Sequence, residues 1–270
     1  MKIDCHTHLD GTGNINAEMM PKYAQDLVEA MDESGVDISF VISNHFNTFK
    51  GWISVEEALQ KAREFPERLR VIAHVDFLRL EEEKYIEELK QFLSEREVVG
   101  LKFYLGYQEV DLDDEQLVPL YRVCEELGLP IVVHTGYLLV DTPGNEEAAH
   151  PRAVARAADK YPNNHFVAAH FGNPWVKDCG RILAEKGNVY ADLSGYFTEY
   201  QPISSEEKEL FSKDIAILKT AGVKTEKLLF GTDWPLYSQQ EYVKAVEEVG
   251  FSYTELKAVF EENVRRVFPI

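Results

Sequence analysis

Pro130-Ile131-Val132-Val133-His134-Thr135-Gly136 is an apolar run that opens on a proline and closes on polar residues and a glycine. A strand with one wet face alternates apolar and polar side chains. A strand covered on both faces reads instead as continuous Val, Ile and Leu. This run is of the second kind. Seven others share its build: Ile3 to His8, Asp37 to Ser43, Val71 to Asp76, Val98 to Tyr104, His165 to Gly172, Asn188 to Ser194 and Lys227 to Asp233.

Helix signals fill the intervals. A helical stretch runs from about Ala17 to Glu33 and stops before Gly35, and Ser54-Val55-Glu56-Glu57 has the capping-box pattern. Further helices are expected from about Glu81 to Arg96, Asp113 to Leu127, just after Pro151, and Pro174 to Glu185. Three more open at Ser204, Ser238 and Ser252, each with a glutamate three residues on. Strictly alternating strands and helices imply a parallel sheet. Eight such units in 270 residues suit a (β/α)8 TIM barrel, α/β in class, better than an open doubly wound sheet. No Gly-x-Gly-x-x-Gly follows any strand, which weakens a dinucleotide-binding alternative. No composition break marks a second unit, so residues 1–270 read as one domain.

Composition narrows the partners. A formal net charge of −19 argues against nucleic acid and against an anionic membrane surface. No apolar run approaches the length of a membrane span, and no signal-like segment opens the chain. The cysteines, Cys5, Cys124 and Cys179, lack Cys-x-x-Cys spacing and suit a reducing compartment. These features point to a cytoplasmic protein acting on a small-molecule substrate, with a homo-oligomer open as a possibility.

In a barrel of this kind the carboxyl ends of all strands meet at one face, where chemistry gathers. His6 and His8 close the first run and share a strand face, with Cys5 and Thr7 expected on the other. His134 closes the fifth, His170 the sixth and Asp233 the eighth, while Lys102 lies late in the fourth. A single histidine at the end of a buried strand is commonly a satisfied core residue, and Asp233 alone could cap the helix beyond it. Together they form a set of metal-ligand type converging on one axis. His45 can line the pocket or a surface loop, and His74, placed mid-strand, can fill the barrel interior. His150 and His165 read as structural.

At this point the chain resembles the amidohydrolase superfamily, specifically the amidohydrolase-related (amidohydrolase 2) metal-dependent hydrolases. The resemblance covers essentially the whole chain. It rests on Ile3 to His8, Gly100 to Tyr104, Val133 to Gly136, Ala169 to Gly172, Leu229 to Pro235 and Glu262 to Phe268. The first motif also resembles TatD-type nucleases, but Lys102 stands where a glutamate is expected there, and the net charge suits DNA poorly.

The resemblance implies that His6, His8, His134 and Asp233 hold a divalent ion, zinc by preference and one ion rather than two. Bound zinc lowers the pKa of water from about 16 to about 7, roughly 12 kcal/mol in favour of hydroxide. Asp233 would take the proton of the attacking water, and His170 would polarise the substrate carbonyl or stabilise the oxyanion. Lys102 has three readings: a carbamate bridging two ions, with His134 and His170 on the second; an ammonium for a substrate carboxylate or for Asp233; or a structural lysine at the rim. The expected reaction is hydrolysis of an amide, lactone or ester. The alternative is non-oxidative decarboxylation of an aromatic or unsaturated acid, and a catalytically inactive barrel is a third possibility. Tyr104, Tyr107, Tyr137, Phe171, Trp175, Tyr196 and Trp234 are candidates for an aromatic pocket rim, with Lys102, Tyr104 and Trp175 as substrate contacts. Aromatics so placed can equally pack against helices.

Overall fold

The structure, a computed structural model, describes residues 1–9, 23–44, 53–108, 111–138, 144–198 and 201–270. The chain opens with β1 (Ile3–Thr7), α1 (Ala24–Ser34), β2 (Ile38–Ile42), α2 (Val55–Glu64), β3 (Leu69–His74), α3 (Glu83–Leu93), β4 (Val98–Phe103) and α4 (Val118–Leu127). It continues with β5 (Ile131–Val133), α5 (Arg152–Lys160), β6 (Phe166–Ala168), α6 (Val176–Glu185), β7 (Val189–Asp192), α7 (Ser205–Thr220), β8 (Leu228–Leu229) and α8 (Gln239–Glu248). It closes with α9 (Tyr253–Lys257), a π-helical turn (Ala258–Glu262) and α10 (Asn263–Val267). All strand pairs are parallel and the spatial order follows the sequence from β1 to β8. Cys5 N donates to Phe230 O, Asp233 N to His6 O and His8 N to Trp234 O, closing the sheet on itself. The fold is a TIM barrel.

Local chemistry sets the element ends. The capping boxes at Ser54–Glu57, Ser204–Glu207 and Ser252–Glu255 form with both bonds present. At Ser238 only half the motif forms, because the Glu241 carboxylate turns away to accept Ile203 N–H. Gly35 and Gly128 end α1 and α4 in the left-handed conformation that a Cβ would disfavour. Among the described residues no helix is long and apolar enough to cross a membrane.

Two apolar layers result. Alternate strand residues such as Val71, Ala73, Leu101, Phe103 and Val133 face the helices. Ile3, Phe40, Ile72, Val99, Val132 and Leu229 fill the barrel interior. Phe268, just past α10, packs into this inner cluster at 5.0 Å from Phe40, and Gly100 leaves it room. Asn263 fastens the closing helix by donating to Thr225 O and Leu228 O at the start of β8. The C-terminal motif thus plugs the end of the barrel opposite the polar strand ends.

Two details depart from simple alternation. The β1–β2 register shifts between Asp4 and Thr7, so that three residues of β1 span two of β2. His6 and His8 still share a face, but Cys5 joins the inner cluster with Ile3 instead of pointing away. His74 is the last residue of β3 rather than a mid-strand one, with its Nδ1 2.9 Å from Ser43 Oγ. His45 and the start of the helix expected from Ala17 lie outside the described residues.

Candidate metal centre

His6, His8, Asp233 and Asp192 stand at the carboxyl ends of β1, β8 and β7, and all four are buried. Asp4, one turn of the pleat earlier, ties β1 to the β8 end. Its carboxylate accepts His6 N–H, Thr232 N–H, Thr232 Oγ–H and Gln239 Nε2–H. Burial, only partly offset by those bonds, pushes the Asp4 pKa up to about 7. Asp233 follows Thr232 with φ of 66°, and Gly231 lets this turn come close, since a Cβ there would lie 3.0 Å from His6 Cβ.

Proton placement decides what these side chains can hold. His6 Nδ1 lies 3.0 Å from Asp192 Oδ2, and His8 Nδ1 lies 3.2 Å from Ile42 O. Those oxygens only accept, so each Nδ1 carries the proton and each Nε2 keeps its lone pair. His8 Nε2 is 3.1 Å and His6 Nε2 3.5 Å from Asp233 Oδ1, a buried oxygen with no hydrogen bond among the described residues. Three acceptor atoms therefore face one another, two nitrogens and one oxygen, all within 4.8 Å. A divalent cation satisfies all three, and a two-His, one-carboxylate set leaves positions for water and substrate. The side chains fit a metal ion.

His134 lies outside this threesome. Its Nε2 faces Tyr137 O at 3.0 Å, so its lone pair is on Nδ1, 3.1 Å from His170 Nε2. His170 connects the groups: its Nδ1 is 3.8 Å from Asp233 Oδ2, and its ring lies 4.8 Å from both His6 and His134. Burial pushes the His170 pKa down to about 3, and burial with the neighbouring His170 and Lys102 lowers that of His134. The same burial, with Lys102, lowers His6. Burial would raise the carboxyl pKa of Asp233, but His6, His8 and, less strongly, His170 outweigh it and hold the group below the usual carboxylate range.

His170 is not a strand residue. β6 ends at Ala168, and His170 and Phe171 adopt φ of 60° and 55° in the turn beyond. Such conformations cost about 1–3 kcal/mol each outside glycine and persist where surrounding bonds impose them. Here Asp192 Oδ1 accepts the His170 N–H, and Gly195 makes room, since a Cβ there would lie 2.4 Å from His170 Nδ1.

Lys102 is fully buried, with Nζ 3.5 Å from His6 Nε2 and 5.1 Å from the Tyr104 ring centre. No carboxylate among the described residues forms an ion pair with it, and burial, opposed by Asp192 and Asp233, pushes its pKa down to about 8. Tyr104 is buried beside His134, donates to Ser43 O, and Tyr107 lies 4.9 Å from His134. Trp175 is half-buried and lies tilted against His150, with ring centres 4.8 Å apart. Phe171, Tyr196 and Trp234 belong to the outer, helix-facing layer.

The sequence pattern passed over Asp192 and Ser194. Asp192 Oδ1 accepts Ser194 N–H and Oγ–H, and Ser194 Oγ lies 3.1 Å from His6 Nδ1 and 3.0 Å from His170 Nδ1. His6, His170 and Asp192 also come close enough to suit an ion. The Ser194 hydroxyl occupies their common centre, however, so this group is a closed hydrogen-bond cluster. The signal was present in the sequence, since Asp192 is a charged residue closing an apolar strand, like the other site residues.

A family model described as "Amidohydrolase" matches residues 3–270. No curated protein matches the sequence. Among solved structures, the chain is similar to a probable 2-pyrone-4,6-dicarboxylic acid hydrolase from Acinetobacter baumannii with citric acid bound, at 18% identity and TM-score 0.73, covering 100% of this chain and 99% of that one. It is similar to a zinc-bound amidohydrolase from Burkholderia multivorans, at 18% identity and TM-score 0.71, covering 99% and 98%. It is also similar to a dihydroxybenzoic acid decarboxylase from a Polaromonas species with manganese and 2-nitroresorcinol bound, at 17% identity and TM-score 0.71, covering 98% and 96%.

Proposed function

The chain belongs to the amidohydrolase family, and from that premise we propose that it is a metal-dependent hydrolase cleaving an amide, lactone or ester of a small, carboxylated or cyclic substrate. The observation that carries this reading is the convergence of His6 Nε2, His8 Nε2 and Asp233 Oδ1 beside a buried lysine. His6, His8 and Asp233 would hold one divalent ion, zinc by preference, with His134 as a further ligand. When bound, such an ion supplies Lewis acidity, lowering the pKa of water and polarising a carbonyl. The protein's own groups do the rest. Asp233, ionised throughout the neutral range, accepts the proton of the attacking water on Oδ2 and returns it to the leaving group. His170, with Nδ1 3.8 Å from that carboxylate and kept neutral by burial, helps to hold Asp233 in place for this proton transfer. Lys102 attracts a substrate carboxylate, Tyr104 walls the ring, and Trp175 stands further out. A cytoplasmic setting fits the three buried, unpaired cysteines.

The second reading is a decarboxylase of an aromatic or unsaturated acid, favoured by the Lys102 ammonium lying against the Tyr104 ring where a carboxylated ring would sit. A panel of lactones, esters and aromatic acids, followed for acid release and for carbon dioxide, tests both. Lactone or ester opening without carbon dioxide supports the hydrolase. Carbon dioxide release from an aromatic acid overturns it in favour of the second reading.

A further inference from the structure

We infer that Asp192 and Ser194 form a positioning pair that fixes which nitrogen of His6 and of His170 carries the proton. Its consequence for catalysis rests on the metal-dependent reading above, whereas the proton positions themselves do not. Asp192 ends β7 fully buried, with both oxygens engaged: Oδ2 faces His6 Nδ1 at 3.0 Å, while Oδ1 accepts from His170 N, Ser194 N and Ser194 Oγ. Ser194 has one hydroxyl proton and three claimants. Its oxygen lies 2.5 Å from Asp192 Oδ1, 3.0 Å from His170 Nδ1 and 3.1 Å from His6 Nδ1.

The shortest contact decides. Two oxygens at 2.5 Å, one in a carboxylate, repel strongly without a proton between them, so the hydroxyl proton points to Asp192. The Ser194 lone pairs are then left for N–H groups, which places a proton on Nδ1 of His170 as well as of His6. His6 Nε2 is thereby free towards His8 and Asp233. His170 Nε2 becomes an acceptor facing His134 Nδ1 at 3.1 Å, and the repulsion between the two is relieved when a proton or cation enters between them. The opposite arrangement, with the serine proton on His170, would leave the 2.5 Å contact unprotonated, and that costs more than two neutral nitrogens at 3.1 Å. One carboxylate and one hydroxyl thus set the ring that ligates and the ring that accepts, and the same carboxylate pins the strained backbone at His170.

The test begins with the metal-free wild-type protein labelled with 15N-histidine, whose two-bond 1H–15N spectra distinguish the tautomers, with His6→Gln and His170→Gln assigning the signals. Protons on Nδ1 of both rings are expected, and a proton on Nε2 of either overturns the pair. Asp192→Asn presents an amide N–H to His6 Nδ1. It is expected to move the His6 proton to Nε2 and weaken zinc binding, read by chelator competition, about 10–100-fold. Ser194→Ala should change the His170 signals only, with zinc affinity near wild type. Unchanged zinc affinity in folded Asp192→Asn overturns the positioning role, and if that variant does not fold, the wild-type and Ser194→Ala spectra decide. A wild-type protein with the expected tautomers that binds no zinc refutes the metal reading and leaves the tautomer assignment standing.

Discussion

His8 Nε2 lies 3.1 Å from Asp233 Oδ1, joining the first strand to the last at an oxygen that no hydrogen bond among the described residues satisfies. An unsatisfied buried carboxylate oxygen between two imidazole lone pairs is costly unless a cation completes it. The barrel's closure and its chemistry therefore coincide at one seam.

Asp233→Asn separates charge from shape. Asparagine tolerates the positive φ of 66° found here, so the turn is retained while the carboxylate is lost. Turnover should fall about 10²–10⁴-fold, the usual contribution of a positioned acid–base group. Substrate affinity should change far less, and steady-state kinetics with a binding titration read both. Retained turnover would remove Asp233 from proton transfer.

Gly195→Ala places a methyl group 2.4 Å from His170 Nδ1 at a residue with φ of 61°. The left-handed conformation alone costs about 1–2 kcal/mol with a Cβ, and His170 must also shift. Lower thermal stability and lower kcat are both expected. A variant that melts and turns over like the wild type would show that His170 is not held as described.

Acid should destabilise the metal-free protein. His6, His134 and His170 stay neutral in the folded chain but bind protons in the unfolded chain below about pH 6.5. The unfolded state then holds more protons, so stability falls as the pH drops through that value. Asp4 works the other way, because its raised pKa of about 7 favours the folded state as the pH falls from 7 towards 4. One such group against three leaves the histidines dominant. Melting curves from pH 8 to pH 5 should show a falling midpoint, and a level one would contradict the buried neutral imidazoles.

Lys102→Met removes an ammonium that is fully buried and without an ion-pair partner among the described residues. The metal-free variant should be more stable by about 1 kcal/mol or more, because an unpaired buried charge is replaced by an apolar chain of similar length. KM should rise for carboxylated substrates and little for neutral esters. Equal losses on both would deny Lys102 a role in carboxylate recognition.

Much of this was legible in the sequence because buried parallel strands are continuous apolar runs and their ends are where polar residues interrupt them. His6, His8, His134 and Asp233 stood out for that reason. The strand lengths were less legible. The run from His165 to Gly172 reads as one strand, yet it turns after Ala168, because the bond from His170 N–H to Asp192 comes from another strand. β8 is likewise cut short by a turn fastened to Asp4 and to His6 O. Cys5 faces inward in step with Ile3, and the register shift in β1, set by pairing with β2, breaks the two-residue alternation only beyond it, so that His6 reaches the site as well. Asp192 and Ser194 carried a visible strand-end signal, but their importance lies in contacts to His6 and His170 that only the closed barrel creates.

The most direct test is the metal content of the wild-type protein after supplementation with zinc, alongside a His6→Asn, His8→Asn double variant. The two histidines and Asp233 predict close to one equivalent of zinc in the wild type and its loss in the variant. A stoichiometry near two would replace the single-ion site with a binuclear one. Absence of bound metal from the wild type, or equal binding by the double variant, would contradict the metal centre itself.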